Sequence, residues 1–472
     1  MLKSFMEIFK GYLKENDTSS QGNILNIYIS IQEKSDIVKL ELGTDESYKL
    51  SVQVGKNINV TIISSNYFGA RHGLESLSQL IWYDSNLGGY QIFSDVVVED
   101  KPSFTYRGVM VDTSRNFFPI FMLKKIVDGM AFSKLNVLHL HLTDAVSFPI
   151  VLKNIEWLAN GAYNSESRYT TEDVEELIEY SMIRGVRVLL EVDAPSHVSA
   201  GWHTNSTYKN LVICDENDIL SGHLNPDNEL SLKILQDVYR NLLNLMKNDD
   251  IFHIGNDEVN LDCWKKTKAA ESYLDMTLLW VNYTNTMIEK LKVANENKLP
   301  KNIIMWSSPL TNTYSGLNAL NHKKSIIVQF WYGYPGTFLH QHFRVIFSTV
   351  GHWYLDCGFG PWKPSQSNGV CDPFTPWQKF YTYRPWDNFL TKNLTEGGEV
   401  CLWSEQVAEE SLQTRIWPRA AAFAERIWSD PLEFKENVYL RLDNFREIMR
   451  YRGLDVSAIW PKWCSLNPGS CK

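Results

Sequence analysis

The first hundred residues alternate short apolar runs with polar turn residues. Four of these runs are rich in branched and aromatic side chains, a pattern typical of β-strands, and they cover residues 23–31, 36–42, 48–54 and 57–63. Apolar side chains then recur at helical spacing over residues 67–83, and a further strand is predicted over residues 90–98. The pattern predicts a small α+β unit at the start of the chain.

From Phe104 onward, short β-rich runs alternate with helical stretches. Several runs, such as residues 185–192, have few polar positions, as strands buried on both faces do. The alternation predicts an α/β fold, a (β/α)8 TIM barrel, with a boundary that leaves an N-terminal α+β domain at 1–102 and the barrel at 103–472. The predicted strands are 106–112, 136–142, 185–192, 251–255, 302–306, 325–331, 344–350 and 398–403, and the helices include 120–133, 171–184, 229–247, 276–294 and 414–428.

Polar and aromatic residues gather where the predicted barrel strands end. In this fold all eight strand ends converge on one face, which is where active sites of such barrels lie. The alternative, that strands simply terminate at polar residues, does not explain eight strand ends in register. The residues are Asp112–Arg115, Thr143–Asp144, Asp193–His197, Asp257–Glu258, Trp306, Trp331, Trp353–Asp356 and Trp403–Glu405.

Composition and charge narrow the class of protein. The 472 residues are 44% hydrophobic and 13% aromatic, which is typical of a folded chain. The net charge is −9 and no basic run occurs, which argues against nucleic acid and anionic membrane surfaces as partners. No segment approaches the ~18 apolar residues of a membrane span, and Lys3, Glu7 and Lys10 interrupt any signal-peptide core.

Cysteines and glycosylation motifs favour an oxidising compartment, secreted or lysosomal. None of the seven cysteines forms a C-x-x-C pair, which argues against zinc and thioredoxin chemistry. The short spacings from Cys357 to Cys371 and from Cys464 to Cys471 suit loop disulfides, although seven unrelated thiols remain an alternative. Five N-x-Ser/Thr motifs are candidate glycosylation sites, at Asn16, Asn59, Asn205, Asn282 and Asn393.

Carboxylates, an arginine and tryptophans at a barrel face suggest glycoside hydrolysis, because indole faces cover sugar faces while carboxylates bind hydroxyls. No metal-ligand cluster, phosphate loop or Ser/His/Asp order accompanies them, so neither a metal nor another cofactor is expected. Asp257 and Glu258 are adjacent, unlike the paired carboxylates of most such enzymes. An adjacent pair suits a reaction in which the substrate's own 2-acetamido oxygen attacks the anomeric carbon.

The segment His253–Val259 resembles the H-x-G-G-D-E signature of the family-20 glycoside hydrolases, the β-N-acetylhexosaminidases. The resemblance runs from about Asn66 to the C-terminus, and its loops are most similar to the insect branch. The family's architecture, a small α+β domain before a catalytic barrel, agrees with the pattern. Further matching segments are 68–75, 106–108, 112–116, 139–144, 193–197, 353–356, 397–399, 403–405 and 415–420.

The resemblance implies a role for each candidate residue. Glu258 would be the general acid and then the general base, Asp257 would accept the acetamide N–H, and Tyr354 would donate to the acetamide oxygen. Asp144 and His197 would tune the Asp–Glu pair. The residues that would line the sugar pocket or bind ring hydroxyls are Arg115, Trp306, Trp331, Asp356, Trp403 and Glu405. His139, His141 and His253 precede the strand ends and are interpreted as satisfied core histidines.

The resemblance also implies three disulfides, Cys214–Cys263, Cys357–Cys371 and Cys464–Cys471, with Cys401 left as a buried thiol. Three positions depart from the family pattern. Asn256 replaces the second glycine of the signature; if φ is positive there, asparagine is the least costly replacement. Ala145–Val146 stand where relatives often carry polar residues. Val370 stands where some insect relatives have tryptophan, which leaves Trp362 as the candidate platform for a second sugar.

The sequence therefore predicts an exo-acting, retaining β-N-acetylhexosaminidase that acts on oligosaccharides or glycoconjugates. The alternative is a catalytically silent, secreted carbohydrate-binding protein on the same fold, which would have lost Asp257, Glu258 or Tyr354. An endo-acting chitinase is set aside because its D-x-x-D-x-D-x-E run is absent. The sequence does not separate N-acetylglucosamine from N-acetylgalactosamine, and the homodimer is an expectation from relatives only.

Overall fold

The N-terminal unit is a four-stranded sheet covered by two helices. The computed structural model of the chain describes residues 1–13, 22–33, 38–84, 86–205, 207–216, 218–386 and 389–471. The elements of the unit are α1 (Leu2–Tyr12), β1 (Leu25–Ile31), β2 (Tyr48–Val54), β3 (Ile58–Ser64), α2 (Tyr67–Gln79) and β6 (Val96–Asp100), with a separate hairpin of β4 (Ile81–Asp84) and β5 (Gly89–Ile92). The sheet has the order β1-β3-β2-β6, in which β1 runs parallel to β3 and the other neighbours are antiparallel.

Two predictions in this unit are wrong in part. The run 36–42 is no strand over its described residues, because the Leu42 N–H donates to Asp250 Oδ2 at 2.6 Å and ties the segment to the barrel. The predicted strand 90–98 is two strands, separated by residues that include Asp95 with φ of 54°. Helix α2 ends at Gln79 rather than residue 83, where the chain enters the hairpin.

Eight parallel strands form the second sheet, and every residue of six of them is buried. The strands are β7 (Tyr106–Asp112), β8 (Val137–Thr143), β9 (Arg187–Val192), β10 (Ile251–His253), β11 (Asn302–Trp306), β12 (Ile326–Phe330), β13 (Arg344–Phe347) and β14 (Thr395–Leu402). Pairing is continuous from β10 through β14 to β7, β8 and β9. A bridge between Ala194 and Gly255 joins β9 to β10 and closes the barrel. A short hairpin pairs Val212–Ile213 with His223–Leu224.

Helices alternate with these strands and cover the barrel. The predicted helix 414–428 is two helices, because Pro418 lacks the N–H that a continuous helix needs at that position. Among the described residues, no helix is both long and apolar enough to cross a bilayer. The longer helices are Ile120–Phe132, Thr171–Ile183, Glu229–Met246, Met276–Ala294, Arg419–Ser429 and Asn437–Tyr451, and the shorter ones are Leu261–Trp264, Lys268–Glu271, Tyr314–Asn318, Gly336–His340, Trp377–Thr382, Phe389–Leu394, Leu412–Ile416 and Lys462–Leu466.

The disulfide pairing is the one that the family resemblance implied, and four of the candidate glycosylation sites lie within the described residues. The three disulfides are Cys214–Cys263, Cys357–Cys371 and Cys464–Cys471, and Cys401 is a buried free thiol. Of the predicted glycosylation sites, Asn59, Asn282 and Asn393 are exposed and Asn205 is half-buried, whereas Asn16 lies outside the described residues. Glycosylation at these positions stays a prediction.

Candidate active site

One cavity of about 580 Å³ opens at the carboxyl ends of the barrel strands. It brings together eleven of the twelve residues that the sequence singled out for catalysis and sugar binding. They come from distant parts of the chain, and the barrel places them around one space. The eleven are Arg115, Asp144, His197, Asp257, Glu258, Trp331, Tyr354, Asp356, Trp362, Trp403 and Glu405.

Trp306 is the exception, and its prediction as a lining residue is wrong. Its side chain has no exposed surface, and its ring lies behind Trp403, with the two centroids 5.8 Å apart. The indole N–H donates to Glu191 Oε1 at 2.8 Å, which draws the ring into the barrel interior. Trp306 therefore supports the wall that Trp403 presents to the cavity.

The turn after β10 holds the adjacent carboxylates in an unusual backbone conformation. Gly255, Asn256 and Glu258 have φ of 70°, 81° and 48°. A Cβ at Gly255 would lie 1.7 Å from Asp193 Oδ1, so only glycine fits there. Because Asn256 and Glu258 adopt positive φ, the backbone is not extended here, and Asp257 and Glu258 project into the same cavity rather than to opposite sides of a strand.

Asn256 meets the requirement that the sequence analysis set for this position. Its φ of 81° lies in the left-handed region, where asparagine is tolerated better than most residues. Its backbone N–H donates to Asp193 Oδ1 at 3.0 Å and its side-chain amide donates to Thr284 Oγ1 at 3.1 Å. Its Oδ1 accepts the Trp280 indole N–H at 3.2 Å. Buried hydrogen bonds thus hold Asn256 in place where the family signature has glycine.

Glu258 is the exposed end of a line of charges. Its side chain is 54% exposed, and its Oε2 lies 3.2 Å from His197 Nε2. His197 Nδ1 lies 3.5 Å from Asp144 Oδ2, and the same oxygen is 2.7 Å from Arg115 Nη2. The hydrogen bond with His197 lowers the pKa of Glu258. Burial by itself would lower the pKa of His197, but the neighbouring Asp144 outweighs burial and holds the pKa of His197 well above its usual range.

Asp257 has the opposite electrostatic setting. It is 7% exposed, and burial together with the neighbouring Glu258 raises the pKa of Asp257 to about 6, although His197 acts against this. Its Oδ1 is buried and has no hydrogen-bond partner in the protein. Its backbone carbonyl accepts the Ser196 hydroxyl, which fixes the turn. A buried carboxylate oxygen without a donor is costly unless a bound group supplies one.

Arg115, Asp356 and Glu405 form a polar wall of the cavity. The Arg115 guanidinium lies over the Trp403 ring, 5.1 Å from its centroid, and its Nη1 is 3.1 Å from Asp112 Oδ2. Burial and the neighbouring Glu405 raise the pKa of Asp356 to about 8. Burial also raises the pKa of Glu405, although Arg115 opposes the shift. Two carboxyl groups and one guanidinium can thus both accept from and donate to sugar hydroxyls.

The aromatic wall is fixed by its own hydrogen bonds and by a disulfide. The Trp331 indole N–H donates to the Ser307 carbonyl at 2.6 Å, which sets the ring plane. Tyr354 is 6% exposed, and its ring lies 6.4 Å from that of Trp403. The disulfide Cys357–Cys371 closes the loop that follows Tyr354. Trp362, at 40% exposure, and Val370, at 78%, stand in this loop at the cavity rim.

Sequence reasoning missed several residues at the site and below it. Tyr163 lines the cavity, and its hydroxyl donates to the Arg115 carbonyl at 2.9 Å. Glu191 and Glu399 are fully buried in barrel strands β9 and β14, where they contact histidines. A signal for both was visible in the sequence: Glu191 follows two leucines and precedes a valine, and Glu399 precedes Val400, Cys401 and Leu402, and a carboxylate buried among apolar residues needs partners.

Among the residues that the structure describes, three clusters of His and carboxylate groups, buried except for the half-buried His197, have ligand atoms within 4.8 Å of one another: His139–Glu191–His253, His141–Glu191–Asp193 and Asp193–His197–Asp257. In the first two, Glu191 already accepts N–H groups from Trp306 and His141. The third includes Asp257, which lines the cavity and whose buried Oδ1 has no hydrogen-bond partner in the protein. We assign these atoms to hydrogen bonding rather than to a metal.

Family comparisons agree with this geometry. Residues 104–431 match the glycosyl hydrolase family 20 catalytic domain, and residues 5–80 match a domain described as β-acetyl hexosaminidase like. The chain is 39% identical to the probable β-hexosaminidase fdl of Drosophila melanogaster, over 95% of this chain and 71% of that protein. It is 35% identical to a chitooligosaccharidolytic β-N-acetylglucosaminidase of Bombyx mori, over 95% of this chain and 78% of the relative.

Solved structures have the same fold. A chitobiase from Flavobacterium johnsoniae superposes with a TM-score of 0.73 at 25% identity, over 96% of this chain and 68% of that one. An exo β-N-acetylglucosaminidase from Vibrio harveyi, in complex with N-acetylglucosamine, gives a TM-score of 0.76 at 22% identity, over 97% and 73% of the two chains.

Proposed function

The chain belongs to glycosyl hydrolase family 20, and we propose that it removes terminal, non-reducing β-linked N-acetylhexosamine with retention of configuration. The observation that carries the mechanism is Asp257, a buried carboxylate with an unpartnered oxygen, beside the exposed Glu258 in one cavity with Tyr354. These groups supply one acceptor for an amide N–H, one proton donor for a leaving oxygen, and one donor for an amide oxygen.

Substrate binding places the proton where the reaction needs it. Before binding, the raised pKa of Asp257 and the lowered pKa of Glu258 favour the proton on the wrong carboxyl group. An acetamide N–H that donates to Asp257 Oδ1 favours the ionised form of Asp257. The same donation therefore favours the protonated form of Glu258, since the two carboxylates repel each other.

Bond cleavage then uses both carboxyl groups. Glu258 gives its proton to the glycosidic oxygen as the bond to the anomeric carbon breaks. The acetamide oxygen, oriented by the Tyr354 hydroxyl, attacks that carbon and forms an oxazolinium ring. The Asp257 carboxylate stabilises the positive charge that develops on the acetamide nitrogen, and it acts from a buried position where such stabilisation is strong.

Hydrolysis of the ring intermediate restores the enzyme. Glu258, now ionised, takes a proton from a water molecule, and the water oxygen bonds to the anomeric carbon as the ring opens. The configuration inverts twice and is therefore retained. Trp331, Trp403 and Tyr354 enclose the acetamide group, with Trp306 behind them, and Arg115, Asp356 and Glu405 bind hydroxyls of the terminal sugar.

The rim of the cavity favours short or branched substrates. Trp362 offers one exposed indole face for a second sugar, whereas Val370 offers no ring at the neighbouring position. Stacking on aromatic faces provides much of the affinity for sugars beyond the first. Glycoconjugate ends are therefore better substrates, under this proposal, than long chitooligosaccharides.

We also propose a cellular setting for the enzyme. Three disulfides suit an oxidising compartment, so we place the protein outside the cell or in lysosomes. The homodimer that the sequence analysis expected stays a prediction. No observation favours the silent carbohydrate-binding alternative, because Asp257, Glu258 and Tyr354 are all present in the cavity.

The test is hydrolysis of a chromogenic β-N-acetylglucosaminide across pH, by the wild-type protein and by Glu258→Gln. Loss of the acid should cost about 10²–10⁴-fold in kcat with a poor leaving group and less with a good one. Glu410→Gln makes the same change at an exposed glutamate that lines no part of the cavity, and this control should retain activity. Equal turnover by wild type and Glu258→Gln would refute the assignment of the acid.

A further inference from the structure

A chain of imidazole and carboxylate groups runs from the proposed acid into the centre of the barrel. Its inner part, the core chain, consists of Glu399, His139, Glu191 and His141. These four side chains are at most 1% exposed. Glu399 accepts further hydrogen bonds from Tyr106 and Gln329. In order, the complete series of ionisable side chains is Glu399, His139, Glu191, His141, Asp144, His197 and Glu258.

Each histidine of the core chain lies between two carboxylates. His139 Nδ1 is 3.0 Å from Glu399 Oε1, and its Nε2 is 2.9 Å from Glu191 Oε2. His141 Nδ1 is 3.0 Å from Glu191 Oε2, and its Nε2 is 3.0 Å from Asp144 Oδ2. An imidazole can donate from both nitrogens only as a cation. Alternating charges of this kind offset part of the cost of burying each ion.

Three donors converge on one oxygen of Asp144, and this is where the core chain meets the site. Asp144 Oδ2 is 2.7 Å from Arg115 Nη2, 3.0 Å from His141 Nε2 and 3.5 Å from His197 Nδ1. A cation close to this oxygen offsets part of its negative charge, so the oxygen attracts the other two donors less strongly. His141 therefore competes with His197 for Asp144, although it does not line the cavity.

We propose that His141, held by Glu191, is a positioning residue that acts through Asp144 and His197 and sets how readily Glu258 receives its proton. This inference rests on the proposed function, in which Glu258 is the acid. Without the His141 cation, Asp144 would bind the His197 proton more firmly. The proton would then reside more on His197 and less on Glu258.

Other groups face the same residues and remain in place when His141 is changed. The Trp403 ring packs edge-on against His141 at 5.0 Å. The other charged and titratable groups around these side chains are Arg115, Asp257, Asp193 and His223, and His253 faces Glu191 at 3.1 Å. Because these groups are common to wild type and variant, the sign of the effect follows from the loss of one positive charge.

The experiment compares pH profiles of kcat/KM for the wild-type protein and His141→Gln. The alkaline limb reports the loss of the proton that His197 and Glu258 share. Firmer binding of this proton by His197 should move the limb to higher pH, by about one unit for the loss of one nearby cation in a partly buried network. We also expect kcat to fall several-fold. His139→Gln is the matched control: it makes the same change on the same strand, but Glu191 separates it from Asp144, so the limb should move by less than a third as much.

The outcomes separate this inference from the proposed function. If His141→Gln and His139→Gln lower kcat equally and neither moves the limb, the histidines are structural and the inference fails. If Glu258→Gln keeps full activity, the proposed function fails and the inference with it. Should His141→Gln not fold, ¹⁵N-histidine NMR of the wild type decides: imidazoles protonated on both nitrogens at pH 8 support the core chain, and their absence overturns it.

Discussion

At the scale of single residues, the site depends on backbone conformations that few side chains adopt. Asn256 is the clearest case, with φ of 81° immediately before the catalytic pair. Asparagine tolerates this region, and its side chain is fully buried and bonded to Trp280 and Thr284. The residue thus serves two purposes, the turn and the packing behind it.

We predict that Asn256→Gly and Asn256→Val separate these purposes. Glycine adopts φ of 81° without strain, so activity should stay within about tenfold, while the unpaired Trp280 and Thr284 groups cost about 1–3 kcal/mol of stability. Valine is β-branched and disfavours positive φ, so it should reduce kcat at least a further tenfold. Thermal unfolding and kcat of both variants provide the check; a valine variant as active as the glycine one would contradict the backbone argument.

At the scale of elements, the sequence predicts the bounds of an element best where the local pattern alone determines them. Strands β7 and β11 and the helix Met276–Ala294 have the predicted bounds, because continuous apolar runs and helical spacing leave one solution. The run 36–42 has the same local pattern as a strand, yet it bonds to Asp250 across 208 positions. No local pattern contains that contact.

The site shows the same division between local and long-range information. The lining residues were predictable from motifs at strand ends. The inward turn of Trp306 was not, because it depends on Glu191, which comes from a different strand 115 positions away. The role of His141 likewise depends on two carboxylates that only the closed barrel brings to it.

The disulfide Cys357–Cys371 is predicted to maintain the substrate-binding loop rather than the fold as a whole. It closes the segment that follows Asp356 and carries Trp362. Replacing both cysteines by alanine should raise KM about three- to tenfold, because the loop must then be ordered when substrate binds. The same change at Cys464–Cys471, which lies near the C-terminus and lines no part of the cavity, should leave KM unchanged. Equal KM values for the two variants would mean that the loop holds its shape without the bond.

At the scale of the whole molecule, a buried ionic contact joins the N-terminal unit to the barrel. Glu46 Oε1 is 2.7 Å from Arg107 Nη2 and 3.0 Å from His72 Nε2, and Glu46 Oε2 accepts the Asn136 amide at 3.1 Å. Glu46 and His72 belong to the first unit, whereas Arg107 and Asn136 belong to the barrel. We therefore propose that the division at residues 102 and 103 separates two structural units that are stable only together.

Glu46→Gln tests this coupling through stability. The change leaves Arg107 buried without its anion, which should cost about 3–5 kcal/mol. Burial opposes the shift, but Arg107 lowers the pKa of Glu46 to about 2. A depressed folded-state pKa contributes stability above the unfolded-state value of about 4.5, and this contribution disappears as pH falls toward 2. The difference in thermal unfolding temperature between wild type and Glu46→Gln should therefore be full at pH 6 and shrink between pH 4.5 and 2.

Glu99→Gln, which removes the charge of an exposed pair with Lys49 in the same sheet, is the control and should change the unfolding temperature little. A gap for Glu46→Gln that does not depend on pH would show that the loss comes from packing and not from the charge.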